Sequence, residues 1–434
     1  MGKLILFLLT LLLITSCASI KYKKHYKQIT ATFNSEFYHN QFVGFMVYDP
    51  QTADTLFNYN AEKYFTPASN TKIFTLYTGL KLLPKNIPAI QYKIHNDTLF
   101  LEGTGDPSML HPYFKDSTVI KFAKGFSNVA LYLNNFHEAK FGPGCACDDY
   151  RYYSSSERSG MPIYGNGVQM QNGTPPFTSP SLFLDKVISL HYFKNREEDR
   201  NIFYLDPSNK DTLEVPFKVD STHIRELWTK VLGKNVTIKN QMPEGGKSIL
   251  YSIPSDTLYK RMMYVSDNFI AEQLLILGSS TLSDTLDGRR AQKFMLEHDL
   301  ADLKQPPKWV DGSGLSRYNL FTPESVVQVL NKMYREFPKE RLFNFFPAGG
   351  VSGTLENWYP GNPEPYIYAK SGSLSNNYNL SGYLITKSGK TLIFSFMNNH
   401  YLESTKEVKN HMQQIFEWIR DNYWKIVWIG IFRI

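Results

Sequence analysis

Two hairpin patterns, one near each end of the chain, constrain the fold more than any other feature. Gln41 to Asp49 (QFVGFMVYD) is rich in β-branched and aromatic residues, turns at Pro50 to Asp54 and returns as Thr55 to Tyr59. A helix is predicted before it, over 22–36. At the other end, Ser381 to Thr386 and Thr391 to Met397 flank the turn Lys387-Ser388-Gly389-Lys390, and Glu407 to Tyr423 has the spacing of an amphipathic helix. Ile367 to Ser371 reads as one further strand. Helix and hairpin at the start thus match hairpin and helix at the end. One antiparallel sheet built from both ends, flanked by helices and interrupted by an insertion, is the expected α+β plan.

The middle has a different texture. From Lys85 to Gly246, short strand-like stretches (IQYKI, LFLEG, VALYL, IFYLD) alternate with Gly, Pro, Asn and Asp turns, as in a β-rich inserted region. Helical texture resumes over Asp256 to Leu277. At 434 residues and 42% hydrophobic content the chain has enough apolar material for two lobes. The expected organisation is a signal segment over 1–16, a catalytic lobe in two parts (17–84 and 247–423), the insert over 85–246, and an apolar tail over 424–434 with no assigned role.

The net charge of +7 arises from 47 basic and 40 acidic residues without long single-sign runs, which argues against nucleic acid as a partner. At the N-terminus, Lys3 precedes an apolar run from Leu4 to Ile14, too short to span a bilayer as a permanent helix, and then Thr15-Ser16-Cys17. This is the pattern of an export signal. Ile14-Thr15-Ser16-Cys17 resembles the bacterial lipobox, which implies lipid attachment at Cys17 and a membrane partner reached through that lipid. The expected location is the periplasmic face of the cell envelope, with the lipid in the outer membrane. Cys145 and Cys147 are too close for an ordinary loop-closing disulfide and too few for structural zinc, so they read as local loop features.

The chemistry rests on short motifs in a fixed order. Thr66-Pro67-Ala68-Ser69-Asn70-Thr71-Lys72 runs into apolar residues at helical spacing, which predicts Ser69 in the first turn of a helix. A serine hydroxyl is a poor nucleophile until a base takes its proton, and Lys72, at i+3 on the same face, serves once burial or a neighbouring cation lowers its pKa. The second element, Ser266-Asp267-Asn268, opens another helical stretch. There a hydroxyl can relay a proton to a leaving amine, and the Asn268 amide can hold Lys72 and a substrate carbonyl. The third, Lys370-Ser371-Gly372, lies on a predicted strand where a cation binds a carboxylate and glycine admits a substrate to the edge. Lys387-Ser388-Gly389 and Ser375-Asn376-Asn377 repeat the patterns in the wrong context, at a hairpin tip and out of order. His223-Ile224-Arg225-Glu226 and His400-Tyr401-Leu402-Glu403 match H-x-x-E, but with no third ligand they predict no metal site. Gly103-Thr104-Gly105 lacks the third glycine of a dinucleotide fingerprint and there is no P-loop, so no cofactor is expected.

S-x-x-K, S-x-N and K-[T/S]-G in this order resemble the penicillin-binding proteins and serine β-lactamases. Within them, the interval from Ser69 to Ser266, together with P-A-S-N-T-K, G-T-G-D-P (Gly103 to Pro107) and D-G-S-G-L-S-R (Asp311 to Arg317), is similar to the low-molecular-mass class C D-alanyl-D-alanine carboxypeptidases/endopeptidases. The resemblance implies a β-lactamase/transpeptidase-like fold, peptidoglycan stem peptides as substrate and β-lactams as inhibitors. It makes Ser69 the acylated nucleophile, Lys72 its base, and Ser266 and Asn268 the second-motif pair. Lys370 and Ser371 hold the substrate carboxylate beside Gly372, the N–H groups of Ser69 and Ser373 form an oxyanion hole, and Arg317 reaches the cleft. Cys145-Ala146-Cys147 stands before Asp148-Asp149 where the family often has tryptophans. The rival functions are a serine β-lactamase, disfavoured by the long insert and by the absence of a dedicated deacylating glutamate, and a catalytically silent cell-wall-binding lipoprotein, disfavoured by the intact motifs.

Overall fold

The computed structural model describes residues 30–144, 150–173, 176–192 and 194–427. The expected export segment, Cys17, Cys145, Cys147, Asp148, Asp149 and the tail beyond 427 lie outside them, as does most of the helix expected over 22–36. Strands β1 (Phe42–Asp49) and β2 (Asp54–Tyr59) lead through a 3₁₀ turn, Ala68–Thr71, into α1 (Lys72–Leu82). The insert then supplies β3 (Asn86–His95), β4 (Thr98–Gly103), α2 (Thr118–Lys124), β5 (Asn128–Tyr132), β6 (Gly167–Gln171), β7 (Phe177–Ser179), β8 (Val187–Ser189), β9 (Phe203–Leu205), β10 (Leu213–Pro216), α3 (Ser221–Leu232), β11 (Val236–Lys239) and β12 (Ser248–Pro254). Helices α4 (Ser255–Tyr264), α5 (Asn268–Ser280), α6 (Gly288–Glu297), α7 (Pro323–Glu336) and α8 (Lys339–Phe343) follow. The chain closes with β13 (Ile367–Leu374), β14 (Asn377–Ile385), β15 (Thr391–Asn399) and α9 (Thr405–Val427).

The two hairpins join in one five-stranded antiparallel sheet of order β13-β14-β15-β1-β2, with Phe45 opposite Phe396 where the two ends of the chain meet. Alternation of side chains along a strand divides this sheet into two buried faces. Phe45 and Val47 of β1, with Phe394 and Phe396 of β15, pack with Val408, Phe416 and Ile419 of α9. Met46, Ile393 and Met397 point the other way, onto Phe74 of α1 and Val326 and Leu330 of α7. Covering both faces is why β14 and β15 are almost wholly buried. Phe416 alone meets the rings of Phe394 and Phe396 at 4.7 and 5.9 Å, a burial that contributes about 1.5–3 kcal/mol.

The insert has a core of its own around Trp228, Phe183, Phe203 and Phe217. Its main sheet, order β11-β5-β4-β3-β12, is mixed: β4 and β11 run parallel to β5, whereas β4 and β12 are antiparallel to β3. Strand β12, which starts beyond Gly246, pairs with β3 and runs straight into α4, so the insert rejoins the following helices through a sheet edge. Helix α5 touches both lobes. The Gln273 amide donates to the Gly105 and Ser159 carbonyls at 2.9 and 2.8 Å and accepts from the Ser159 N–H at 3.0 Å. Among the described residues no helix is long and apolar enough to cross a membrane, and no group of three or more His, Cys, Asp or Glu side chains is placed to hold a metal ion.

Candidate active site

Ser69 sits in the 3₁₀ turn that precedes α1, one step short of the helical turn its spacing predicts. The cause is Ala68, whose φ of 48° is left-handed and incompatible with a helix starting there. The strain is held from several sides. Asn379 Nδ2 donates to the Thr66 carbonyl at 3.0 Å, and the Thr66 N–H donates to Asn399 Oδ1 at 2.7 Å. Beneath Ser69, Asn70 Nδ2 donates to Ser381 Oγ at 2.7 Å, and that hydroxyl donates to Ser395. Two glycines let other segments close on the turn. A Cβ on Gly314, at φ 87°, would lie 1.9 Å from the Ala68 carbonyl oxygen, and one on Gly372 would lie 2.5 Å from that of Pro67 and 3.0 Å from the Ser69 nitrogen.

Lys72 is fully buried. Its Nζ donates to Ser69 Oγ at 3.0 Å, to Asn268 Oδ1 at 2.6 Å and to the Ser313 carbonyl at 2.7 Å. Loss of water around the ammonium lowers its pKa to about 8, against the opposing pull of Asp311, Glu272 and Asp267. A lysine so poised gives up its proton near neutrality and lies within reach of the serine proton.

Ser266, at φ 59°, is the second strained residue of the site. Asp267 caps α5 by accepting from the Ile270 N–H at 3.0 Å, which sets Asn268 as the first helical residue with its amide on Lys72. The insert braces this cap. Burial holds the His111 imidazole neutral by lowering its pKa to about 3, and its Nδ1 accepts from the Tyr113 N–H at 3.1 Å. The remaining proton is therefore on Nε2 and is donated to Tyr153 Oη at 2.9 Å, while the Tyr153 hydroxyl points at Asp267 Oδ2, 3.5 Å away.

Lys370, also fully buried, donates from Nζ to Ser266 Oγ at 3.0 Å and to the Ser371 carbonyl at 2.6 Å. Burial, and then the nearby charge of Lys72, lower its pKa well below that of a free lysine. It lies opposite Ser381 on β13, and Gly372 lies opposite Asn379. Because the Ala369 N–H bonds outward to the Pro347 carbonyl, strand alternation turns the N–H groups of Ser371 and Ser373 to the same outer edge. Ser373 itself is exposed.

The D-G-S-G-L-S-R segment contributes most through its first residues. Asp311 accepts from the Gly314 and Ser316 N–H groups at 2.8 and 2.6 Å, and Glu272 accepts from the Ser313 N–H at 2.8 Å, so the Ser313 carbonyl is fixed on Lys72. Burial, reinforced by Glu272, raises the Asp311 pKa to about 6. Arg158 of the insert answers this acidic pair, meeting Glu272 and Glu138 at 2.6 Å each. Arg317 is exposed, and its N–H donates to the Gly144 carbonyl at the edge of the described loop. The structure thus gathers Ser69, Lys72, Ser266, Asn268, Lys370, Ser371 and Gly372; Ser373 is exposed at the end of the same strand, and Arg317 is exposed with no hydrogen bond or ion pair to these residues. Sequence reasoning did not single out Asn70, Asp311, Ser313, Glu272, Arg158 or Tyr153; the quoted P-A-S-N-T-K and D-G-S-G-L-S-R strings held the only signal for the first three.

The chain is similar to known proteins. The chain is 25% identical over 422 residues to the D-alanyl-D-alanine carboxypeptidase of Actinomadura sp. strain R39, covering 82% of this chain and 77% of that one. It is 29% identical over 214 residues to the D-alanyl-D-alanine carboxypeptidase DacB of Haemophilus influenzae, a match spanning 46% of this chain and only 43% of that protein. The crystal structure of penicillin binding protein 4 (dacB) from Haemophilus influenzae superposes with a TM-score of 0.72 at 20% identity over 91% of this chain and 99% of that one, and it has also been solved complexed with a β-lactam. That likeness establishes the α+β, transpeptidase-like fold. The family model for the D-Ala-D-Ala carboxypeptidase 3 (S13) group matches residues 26–422, a span that contains the S-x-x-K, S-x-N and K-S-G motifs, and the chain belongs to that family.

Proposed function

We propose that this protein is a serine D-alanyl-D-alanine carboxypeptidase/endopeptidase that cleaves peptidoglycan stem peptides through an acyl-enzyme on Ser69. The observation that carries the reading is Lys72: a buried amine with a pKa of about 8, 3.0 Å from the Ser69 hydroxyl. Ser69 Oγ attacks the carbonyl carbon of the D-alanine that precedes the scissile bond, while Lys72 takes its proton. The N–H groups of Ser69 and Ser373 receive the developing oxyanion. Ser266, bridged to Lys370, passes a proton to the departing amine, and water then releases the acyl group by the same route in reverse. In the empty site burial and the charge of Lys72 both press Lys370 toward the neutral form, and among the described residues no carboxylate is paired with it. A substrate supplies one. The proton then rests on Lys370, and Lys72 is left as the free base.

β-Lactams fit the same site as acylating inhibitors. In this reading residues 1–16 are removed on export, Cys17 carries lipid, and the catalytic lobe faces the cell wall from the periplasmic side of the envelope. Labelled penicillin is expected to acylate the purified protein at Ser69, and muropeptides are expected to lose terminal D-alanine or their cross-links on incubation. Undiminished labelling of Ser69→Ala would refute the assignment.

A further inference from the structure

The outer edge of β13 is open over only part of its length. Upstream, Pro347 to Gly349 occupies it: the Gly349 N–H donates to the Ile367 carbonyl and the Ala369 N–H to the Pro347 carbonyl, at 2.9 and 3.0 Å. The same segment then folds into a pinned turn. The Gly350 N–H donates to the Leu355 and Trp358 carbonyls, and the Ala348 N–H to Ser352 Oγ. That turn delivers Thr354 to the point where the free edge begins, and Ser371 Oγ donates to Thr354 Oγ1 at 2.8 Å. A peptide laid along β13 beside Ser69 therefore has room from Ser371 onward and meets Thr354 at its end.

The geometry points to Thr354 as a specificity-determining residue that closes the strand edge and donates to the terminal carboxylate of the substrate. The inference rests on the acyl-enzyme reading above. Its chemistry follows from counting donors. Thr354 Oγ1 already accepts from Ser371, and among the described residues its own proton has no acceptor. The ammonium form of Lys370 donates to Ser266 and to the Ser371 carbonyl and has a third proton to spare. A carboxylate placed between them takes one charge-assisted bond from each. A substrate without a carboxylate on the carbon that bears the departing nitrogen forgoes the Thr354 bond. Thr354 thus biases the site toward leaving groups that carry this carboxylate.

The test uses two peptides that end in D-alanyl-D-alanine, one with a free carboxylate and one as its C-terminal amide. The wild-type chain is expected to prefer the carboxylate in kcat/KM. In Thr354→Val, nearly isosteric but without the hydroxyl, that preference is expected to fall about tenfold to a hundredfold, the worth of one hydrogen bond to a charged group. Thr354→Ser is expected to retain it. Full labelling of Thr354→Val by penicillin at saturating time shows that the variant is folded. A preference unchanged in Thr354→Val, whether both peptides slow equally or neither does, overturns the proposal, and so does its loss in Thr354→Ser. Absence of any Ser69-dependent cleavage by the wild type defeats the enzyme reading and this one with it, whereas cleavage with an unaltered ratio defeats this one alone.

Discussion

The burial of Lys72 sets a pH profile for acylation. Moving the lysine pKa from 10.5 to about 8 disfavours the ammonium by about 3 kcal/mol at roughly 1.4 kcal/mol per unit. The direction is fixed by its role: the base must be neutral to accept the Ser69 proton, so the second-order rate constant for penicillin rises with pH and levels above about pH 8. Below that, each unit of pH lost lowers the rate about tenfold, so that at pH 6 the rate is about a hundredth of the plateau. The acid limb belongs to the coupled pair Lys72 and Lys370. Stopped-flow acylation over pH 5.5 to 9.5 reads it directly. Lys72→Ala is expected to acylate about 10²- to 10⁴-fold more slowly at the plateau and to lose the limb. A wild-type profile flat between pH 6 and 8, or the same limb surviving in Lys72→Ala, would refute the role of this amine.

Gly372→Ala places a methyl group 2.5 Å from the Pro67 carbonyl oxygen and 3.0 Å from the Ser69 nitrogen, contacts made with backbone that has no room to yield. It is expected to slow penicillin acylation at least a hundredfold with a stability loss of about 1–3 kcal/mol, read by acylation kinetics and chemical denaturation. Arg158→Met leaves Glu138 and Glu272 buried without their cation and is expected to cost about 3–5 kcal/mol at pH 7.5. Burial already raises the Glu138 pKa, and losing Arg158 raises it further. A carboxyl with a raised folded-state pKa stabilises at low pH and loses that stability as pH rises, so the deficit is expected to shrink toward pH 5 in thermal unfolding; a deficit independent of pH would contradict the pairing.

Much of this is legible in the sequence where the signal is local. The two hairpins announce themselves by β-branched and aromatic runs around turn residues, and their pairing into one sheet follows because both need a partner for each face. Ser69 and Lys72 are three residues apart, Asp267 is the cap of its own helix, and Lys370 sits in a strand-like run of its own; each carries its geometry in its immediate neighbours. What escapes is long-range or carried by the main chain. The Ser313 carbonyl on Lys72 has no side-chain signature, so attention falls on Arg317 at the far end of the same string, whereas the lysine is reached by its beginning. The left-handed turn at Ala68 is imposed by Gly314 and Gly372, which arrive from remote parts of the chain. His111 and Tyr153 meet Asp267 only because the insert folds back on α5.

That last contact changes what the insert is for. A β-rich insertion between the first and second motifs reads naturally as a substrate-binding appendage, yet its buried groups reach the acid–base machinery itself. Lys72 is kept near pH 8 by a balance: desolvation pushes its pKa down, and the charges of Asp311, Glu272 and Asp267 hold it up. Arg158 of the insert is bonded to Glu272, and Tyr153 of the insert faces Asp267. Two of the three acids that tune the base are therefore themselves contacted by the insert. With Arg158 absent, the Glu272 carboxylate loses its opposing cation and pulls harder on the Lys72 ammonium. That displaces Lys72 from its poise. In the proposed mechanism the lobe built from both ends of the chain supplies the nucleophile and the base, but the electrostatic setting in which lysine would act as a base near neutral pH is completed by the insert.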